Sequence, residues 1–274
     1  FICLPFLCFI YQKYRFTAFL PYICSKFFNP YKRGFYCNDD SIYYPFKKST
    51  ISSLNAKLFG FVIPILIVSC AVGVKWFSRY LRVLLIILTV EAYRTFFFEP
   101  KVAKKACEPK FSLFGLPCNP FATRLYFYIG YFLFGAALCL SLTKIGKFSI
   151  GRLRPHFMSV CRPSFNISEC SDHKYIEEPH CTGDQDKIRN GRLSFPSGHS
   201  SFAFYTMMFA IFYIQAQVVW ATVRSLIKPT LQFILFCLAF GTALSRISDY
   251  KHHWSDVFAG SIIGIICASA IVSS

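Results

Sequence analysis

Charge is scarce in this chain. Only 16% of its 274 residues are Asp, Glu, Lys or Arg, where soluble domains carry about 25%. That shortage argues against an ordinary soluble domain. Acidic residues are the scarcer sign, 13 against 30 basic. They form no carboxylate-rich cluster of the kind hard cations need, and no cofactor is expected. The sequence has no internal repeat and no low-complexity tract, which leaves no basis for a repeat architecture. It has no evident cleavable signal peptide, a job the first apolar segment would take over.

Apolar residues are abundant instead. The chain is 54% hydrophobic and 19% aromatic, with a mean hydropathy of +0.43. They come in blocks, not with the period of an amphipathic helix or strand, as spanning helices require. The expected fold is all-α: a polytopic transmembrane helical bundle of about six spans. The blocks are 1–24, 58–74, 124–145, 200–220, 231–244 and 257–272. The first is interrupted by Gln12, Lys13 and Arg15. A further run, 83–90, is too short to cross about 30 Å of hydrocarbon. Loops are expected over 25–57, 91–123 and 146–197, with a short link over 245–256. Three regions result: 1–57, a first span and loop; 58–123, a second span and loop; and 124–274, a core of four spans. The start at Phe1 and an apolar block reaching Ser274 suggest a fragment at both ends.

The net charge of +17 would point to nucleic acid in a soluble chain. Here the basic residues sit between apolar blocks, where they fix topology and meet anionic head groups. The expected partners are therefore the bilayer and anionic lipids, not nucleic acid. Cys37, Cys161, Cys170 and Cys181 lie in polar loops and are disulfide candidates if those loops are extracytoplasmic. The spacing gives no pairing. The sequon Asn166-Ile167-Ser168 lies in the long loop with three of them, and makes Asn166 the glycosylation candidate. Both features place that loop outside the cytoplasm. The basic link around Arg224 then falls inside, as the positive-inside rule prefers.

This topology gathers three polar clusters on one face, and charged residues beside spans are functional suspects. The first holds Lys147 and Arg154, seven residues apart. On a helix that is two turns, with both side chains on one face about 10 Å apart along the axis. Such a pair could grip a phosphate, or could be a basic cap snorkelling to the interface. The second is Pro196-Ser197-Gly198-His199, a helix-start signature whose free N–H groups suit an anion. Ser197 could add a hydrogen bond, Gly198 would let a ligand come close, and His199 could move a proton. The third is Ser245-Arg246 followed by His252 and Asp256. Arg246 offers a planar fork to phosphate oxygens. At i, i+4 on a helix, Asp256 could orient His252 as a nucleophile. His253, at i, i+3, is an equal rival by spacing.

The motifs K-x6-R-P at 147–155, P-S-G-H at 196–199 and S-R-x5-H-x3-D at 245–256 resemble the three signatures of the type 2 phosphatidic acid phosphatase superfamily. The stretches 33–42, 149–156 and 248–256 are similar to its animal lipid phosphate phosphatase branch in particular. The resemblance spans nearly the whole chain. It implies a magnesium-independent phosphatase acting on phosphatidate, lysophosphatidate, sphingosine 1-phosphate or ceramide 1-phosphate through a phosphohistidine. It selects His252, not His253, as nucleophile, with Asp256 orienting it and His199 as acid and base. Lys147, Arg154, Ser197, Gly198 and Arg246 would hold the phosphoryl group. The site would face the extracellular or luminal side of the plasma membrane or an endomembrane, and the chain is a candidate homo-oligomer. Residues 71–83 look inserted relative to the family, within its second span. A phosphatase for a soluble monoester and a catalytically silent relative stand as the alternatives.

Overall fold

A computed structural model describes residues 29–69, 112–113, 116–117, 120–164, 174–177, 179–217 and 226–273. The disturbed first block, residues 71–83, Asn166 and Cys170 lie outside the described residues. In chain order the elements are β1 (Phe35–Tyr36), α1 (Ser53–Ser69), β2 (Ser112–Leu113), β3 (Leu116–Pro117) and α2 (Pro120–Ile150). They continue with α3 (Phe157–Cys161), β4 (Tyr175–Ile176), α4 (Gln185–Gly191), α5 (Gly198–Gln217), α6 (Ile227–Ser248) and α7 (Trp254–Ser273). The strands form two short antiparallel pairs, β1 with β4 and β2 with β3. The fold is otherwise helical, as the apolar blocks lead one to expect. Three helical stretches, Phe127–Ile150, Ile227–Ser248 and Trp254–Ser273, are long and apolar enough to cross a membrane. The chain is an integral membrane protein.

Several boundaries move. Residues 53–57, expected in a loop, open α1. Helix α2 runs five residues past 145, so Lys147 stands on its last turn. Helix α6 includes Arg246. These ends are polar, and hydropathy locates only the part of a helix that lipid surrounds. The long loop between α2 and α5 is also not featureless. Helix α4 begins where Asp184 caps it, accepting from the N–H groups of Asp186 and Lys187. Helix α3 ends at Cys161, whose disulfide to Cys181 closes the loop back on itself. Cys37 is disulfide-bonded as well.

Helix α5 is the centre of the bundle and packs on α2, α6 and α7. Lipid is as apolar as a buried leucine, so close packing has to hold such helices together. Gly260 of α7 provides it: a Cβ there would stand 2.5 Å from the Ser197 carbonyl. Phe132, Tyr205 and Phe209 fill the α2–α5 contact, and the Tyr205 hydroxyl donates to the Phe132 carbonyl at 2.6 Å. On the outside, α7 shows Trp254, Phe258, Ile262 and Ile266, four residues apart, as an exposed apolar stripe.

Gly151 stops α2. Its φ is +58°, a conformation that costs other residues strain. A Cβ there would also collide with the Tyr31 carbonyl. Gly151→Ala is therefore expected to lower stability by about 1–3 kcal/mol, measured as thermal unfolding in detergent. An unchanged transition would show that the turn relaxes freely.

Candidate active site

The turn at Gly151 overturns one expectation. Lys147 and Arg154 do not share a helix face two turns apart. After Gly151 the chain runs alongside residues 191–194: Arg154 N–H donates to the Gly191 carbonyl at 2.8 Å, and Ser194 N–H to the Arg152 carbonyl at 3.0 Å. Leu153 goes into a buried cluster with Phe157 and Ile188. Its neighbours Arg152 and Arg154 turn toward the site, and Lys147 arrives separately from α2. Its Nζ donates to the Leu193 carbonyl at 2.7 Å, and its side chain lies beside Gly198 at the start of α5.

Ser197 precedes that helix. Its own N–H donates to the Asp256 carbonyl at 2.9 Å. Its Oγ accepts from Ser200 Oγ at 2.9 Å and from Ser200 N–H at 3.4 Å. Ser197 is thus a buried cap of α5. Gly198 and His199 remain partly open.

The third cluster straddles a turn, not a helix. Arg246 stands on the last turn of α6 and is 1% exposed. Its Nε and Nη2 donate to Ser245 Oγ, and Nη2 also donates to Asp249 Oδ2 at 2.9 Å. His252 precedes α7, whose first turn carries Asp256. His252 Nδ1 and Asp256 Oδ2 are 3.8 Å apart, too far for a hydrogen bond. The expected i, i+4 helical hold is absent because His252 lies outside the helix. Asp256 is instead the hub of another network, completely buried. Its carboxylate accepts from Arg152 Nη1 at 2.6 Å, from Ser194 Oγ at 2.5 Å and from the His253 N–H at 3.1 Å. The rival His253 is engaged elsewhere, its Nε2 donating to the Leu153 carbonyl at 3.0 Å.

Sequence reasoning missed Arg152 and Ser194. Arg152 was legible in principle, two residues before Arg154 in a non-helical stretch. Nothing marked Ser194.

The electrostatics follow from burial. Burial holds the His252 imidazole far below its ordinary range; the Asp256 carboxylate opposes this, and the Lys147 and Arg154 charges add to it. The ring is neutral at physiological pH, the form that can act as a nucleophile. Burial also lowers the Arg154 guanidinium to about 10, with Asp256 opposing and Arg246 assisting, so it stays charged. Arg154 Nε and His252 Nδ1 are the enclosed side-chain N or O atoms that lack a hydrogen-bond partner among the described residues. Such atoms are rare in folded proteins and call for an explanation.

His156 reports on the same wall. Its Nδ1 donates to the Tyr250 carbonyl at 2.7 Å, and burial lowers its pKa from 6.5 to about 4. In the unfolded chain it would protonate first as pH falls, so stability drops between pH 6.5 and about 4. His156→Asn should flatten that part of the stability–pH curve in thermal melts. A curve as steep as that of the parent would exclude His156 as its source.

Residues 128–274 match the model of the PAP2 superfamily. The chain is 41% identical to phospholipid phosphatase 1 of Mus musculus over 252 residues, which is 92% of this chain and 78% of the relative. It is 37% identical to phospholipid phosphatase 2 of Homo sapiens over 273 residues, 99% of this chain and 81% of the relative. No solved structure matches it. The chain belongs to the PAP2 superfamily.

Proposed function

We propose that this protein hydrolyses phosphatidate and related lipid phosphate monoesters through a phosphohistidine on His252. That it is a lipid phosphatase follows from its family and its relatives; the substrates and the covalent step are our reading. The observation that carries it is the pair of enclosed, unpartnered atoms, Arg154 Nε and His252 Nδ1, in one site. Buried cations beside a neutral imidazole fit a phosphate dianion, and charge stabilisation with positioning is most of what phosphoryl transfer needs.

In the first step a ring nitrogen of neutral His252 attacks phosphorus. The bond to the leaving lipid oxygen breaks, and His199 gives that oxygen a proton. Burial and the Arg246, Arg154 and Lys147 charges lower the His199 pKa to about 4, so it carries that proton only once the phosphate dianion offsets those charges. Asp256, 3.8 Å from Nδ1, stabilises the positive charge that forms on the ring. In the second step water attacks phosphorus and passes a proton to His199. The N–P bond breaks, and inorganic phosphate leaves a neutral His252. Lys147, Arg154 and Arg246, with the Gly198 N–H and the Ser197 hydroxyl, hold the phosphoryl oxygens throughout. The site faces the extracellular or luminal side, the compartment that suits the Cys161–Cys181 bridge.

The test is phosphate release from phosphatidate, lysophosphatidate, sphingosine 1-phosphate and ceramide 1-phosphate by the detergent-solubilised protein, with excess chelator. Turnover of at least one of them is expected. Release from a sugar phosphate alone would replace the lipid reading with the soluble-monoester one.

A further inference from the structure

Asp249 is the unexpected residue beside the site. It is 5% exposed and ion-paired to Arg246 at 2.9 Å. Its other partner comes from the far side of the sequence. Thr50 N–H donates to Oδ2 at 2.8 Å, and Thr50 Oγ1 donates to Oδ1 at 2.7 Å. Both carboxylate oxygens are thereby fixed by a single residue of the segment leading into α1. Burial alone would raise the Asp249 pKa; the two Thr50 bonds and the charges of Arg246 and Lys251 outweigh it and lower it.

The rest of that segment is anchored along the same wall. Tyr44 N–H donates to the Pro155 carbonyl at 2.9 Å, and its ring stacks on Tyr250 at 4.6 Å. Phe46 meets the edge of His156 and lies under the Lys251 ammonium at 3.7 Å. Three residues past Thr50, Ser53 Oγ comes within 3.4 Å of His199 Nε2. The strap 44–53 therefore touches a candidate proton-transfer residue directly, and a candidate phosphate-binding one through Asp249.

We infer that Thr50 and Asp249 are positioning residues, which hold the Arg246 guanidinium in the orientation that receives a phosphoryl group. The inference rests on the phosphatase reading above. Arg246 is a long side chain with several rotatable bonds. A fork misplaced by about 1 Å can cost about 100-fold in rate. Ser245 fixes one edge of the fork and Asp249 the end of one arm. Asp249 in turn has no rotational freedom left once both of its oxygens are bound by Thr50.

Thr50 is exposed, so its variants should fold. Thr50→Val removes the hydroxyl donor and keeps the backbone one. We expect kcat/KM on phosphatidate to fall about tenfold, the ratio that corresponds to losing one hydrogen bond to a charged group. The inhibition constant for inorganic phosphate should rise with it, and Thr50→Ser should restore both. The deciding measurement is a double-mutant cycle with Arg246→Lys. If Thr50 acts through Arg246, the combined loss is clearly smaller than the product of the single losses. Multiplicative losses, or a Thr50→Val protein with unchanged phosphate inhibition, would overturn the inference. Equilibrium binding of labelled inorganic phosphate keeps the two levels apart. A parent protein that binds phosphate but hydrolyses none of the lipids defeats the phosphatase reading. Equal phosphate affinity of the parent and Thr50→Val defeats this one.

Discussion

His252→Gln is expected to abolish phosphate release, by about 10³-fold or more, as removal of a nucleophile does elsewhere. Glutamine approximates the size of the imidazole and keeps a polar group beside Asp256, so the buried position is not left as a void. The Asp256 network should survive, because its partners are Arg152, Ser194 and the His253 N–H and not the His252 ring. The variant should therefore melt near the parent. Brief incubation with labelled substrate and rapid denaturation should label the parent with an acid-labile phosphate and leave the variant unlabelled. Activity within tenfold of the parent would remove His252 from the mechanism, and a label that persists would move the nucleophile to another residue. His253→Gln is the control. Its ring serves the Leu153 carbonyl, so its loss should lower stability more than turnover.

Arg154→Gln should separate activity from stability. Loss of a charge placed for a developing anion costs about 10²–10³ in rate. Arg154→Lys should recover little of it, because an ammonium lacks the fork. In the empty protein the same charge is a burden. Burial acts against it, as does neighbouring Arg246, and only Asp256 favours it. Its Nε has no partner to lose. The variant should thus unfold at the same temperature as the parent or a higher one, while kcat/KM falls at least 100-fold. This is the trade between stability and activity expected where a site is built for a ligand. A variant that loses both together would make Arg154 a structural residue. Added inorganic phosphate should raise the melting temperature of the parent and not of Arg154→Gln.

The sequence was informative where chemistry is local. The apolar blocks marked the helical fold, and the ordered motifs singled out eight candidate positions, since each signature sits at a helix end where polar residues stand out against lipid. The geometry inside the site was less legible. Two turns of helix between Lys147 and Arg154, and an i, i+4 hold of His252, both assume a helix that the chain does not form there. Gly151 carried the signal for the first failure: a glycine after a basic last turn is a helix stop. The contacts of Asp249 with Thr50 and of His199 with Ser53 were beyond reach. They join residues 199 and 146 positions apart, and no local pattern encodes such a pairing. Ser194 was invisible for a similar reason: a serine in a loop says nothing until the carboxylate beside it is known.

The apolar stripe on α7 begins with Trp254, 72% exposed and two residues after His252. Indole rings favour the level of the lipid head groups, so if His252 is the nucleophile proposed above, the stripe would set the depth of the candidate site as well as the seat of the helix. A substrate need not leave the bilayer to reach it; its acyl chains can stay among their neighbours while the head group turns in. Under the proposed mechanism, the concentration that governs rate would be a number per unit area of leaflet. Diluting the substrate with inert lipid should slow turnover even when its total amount is held constant, and diluting the aqueous volume should not.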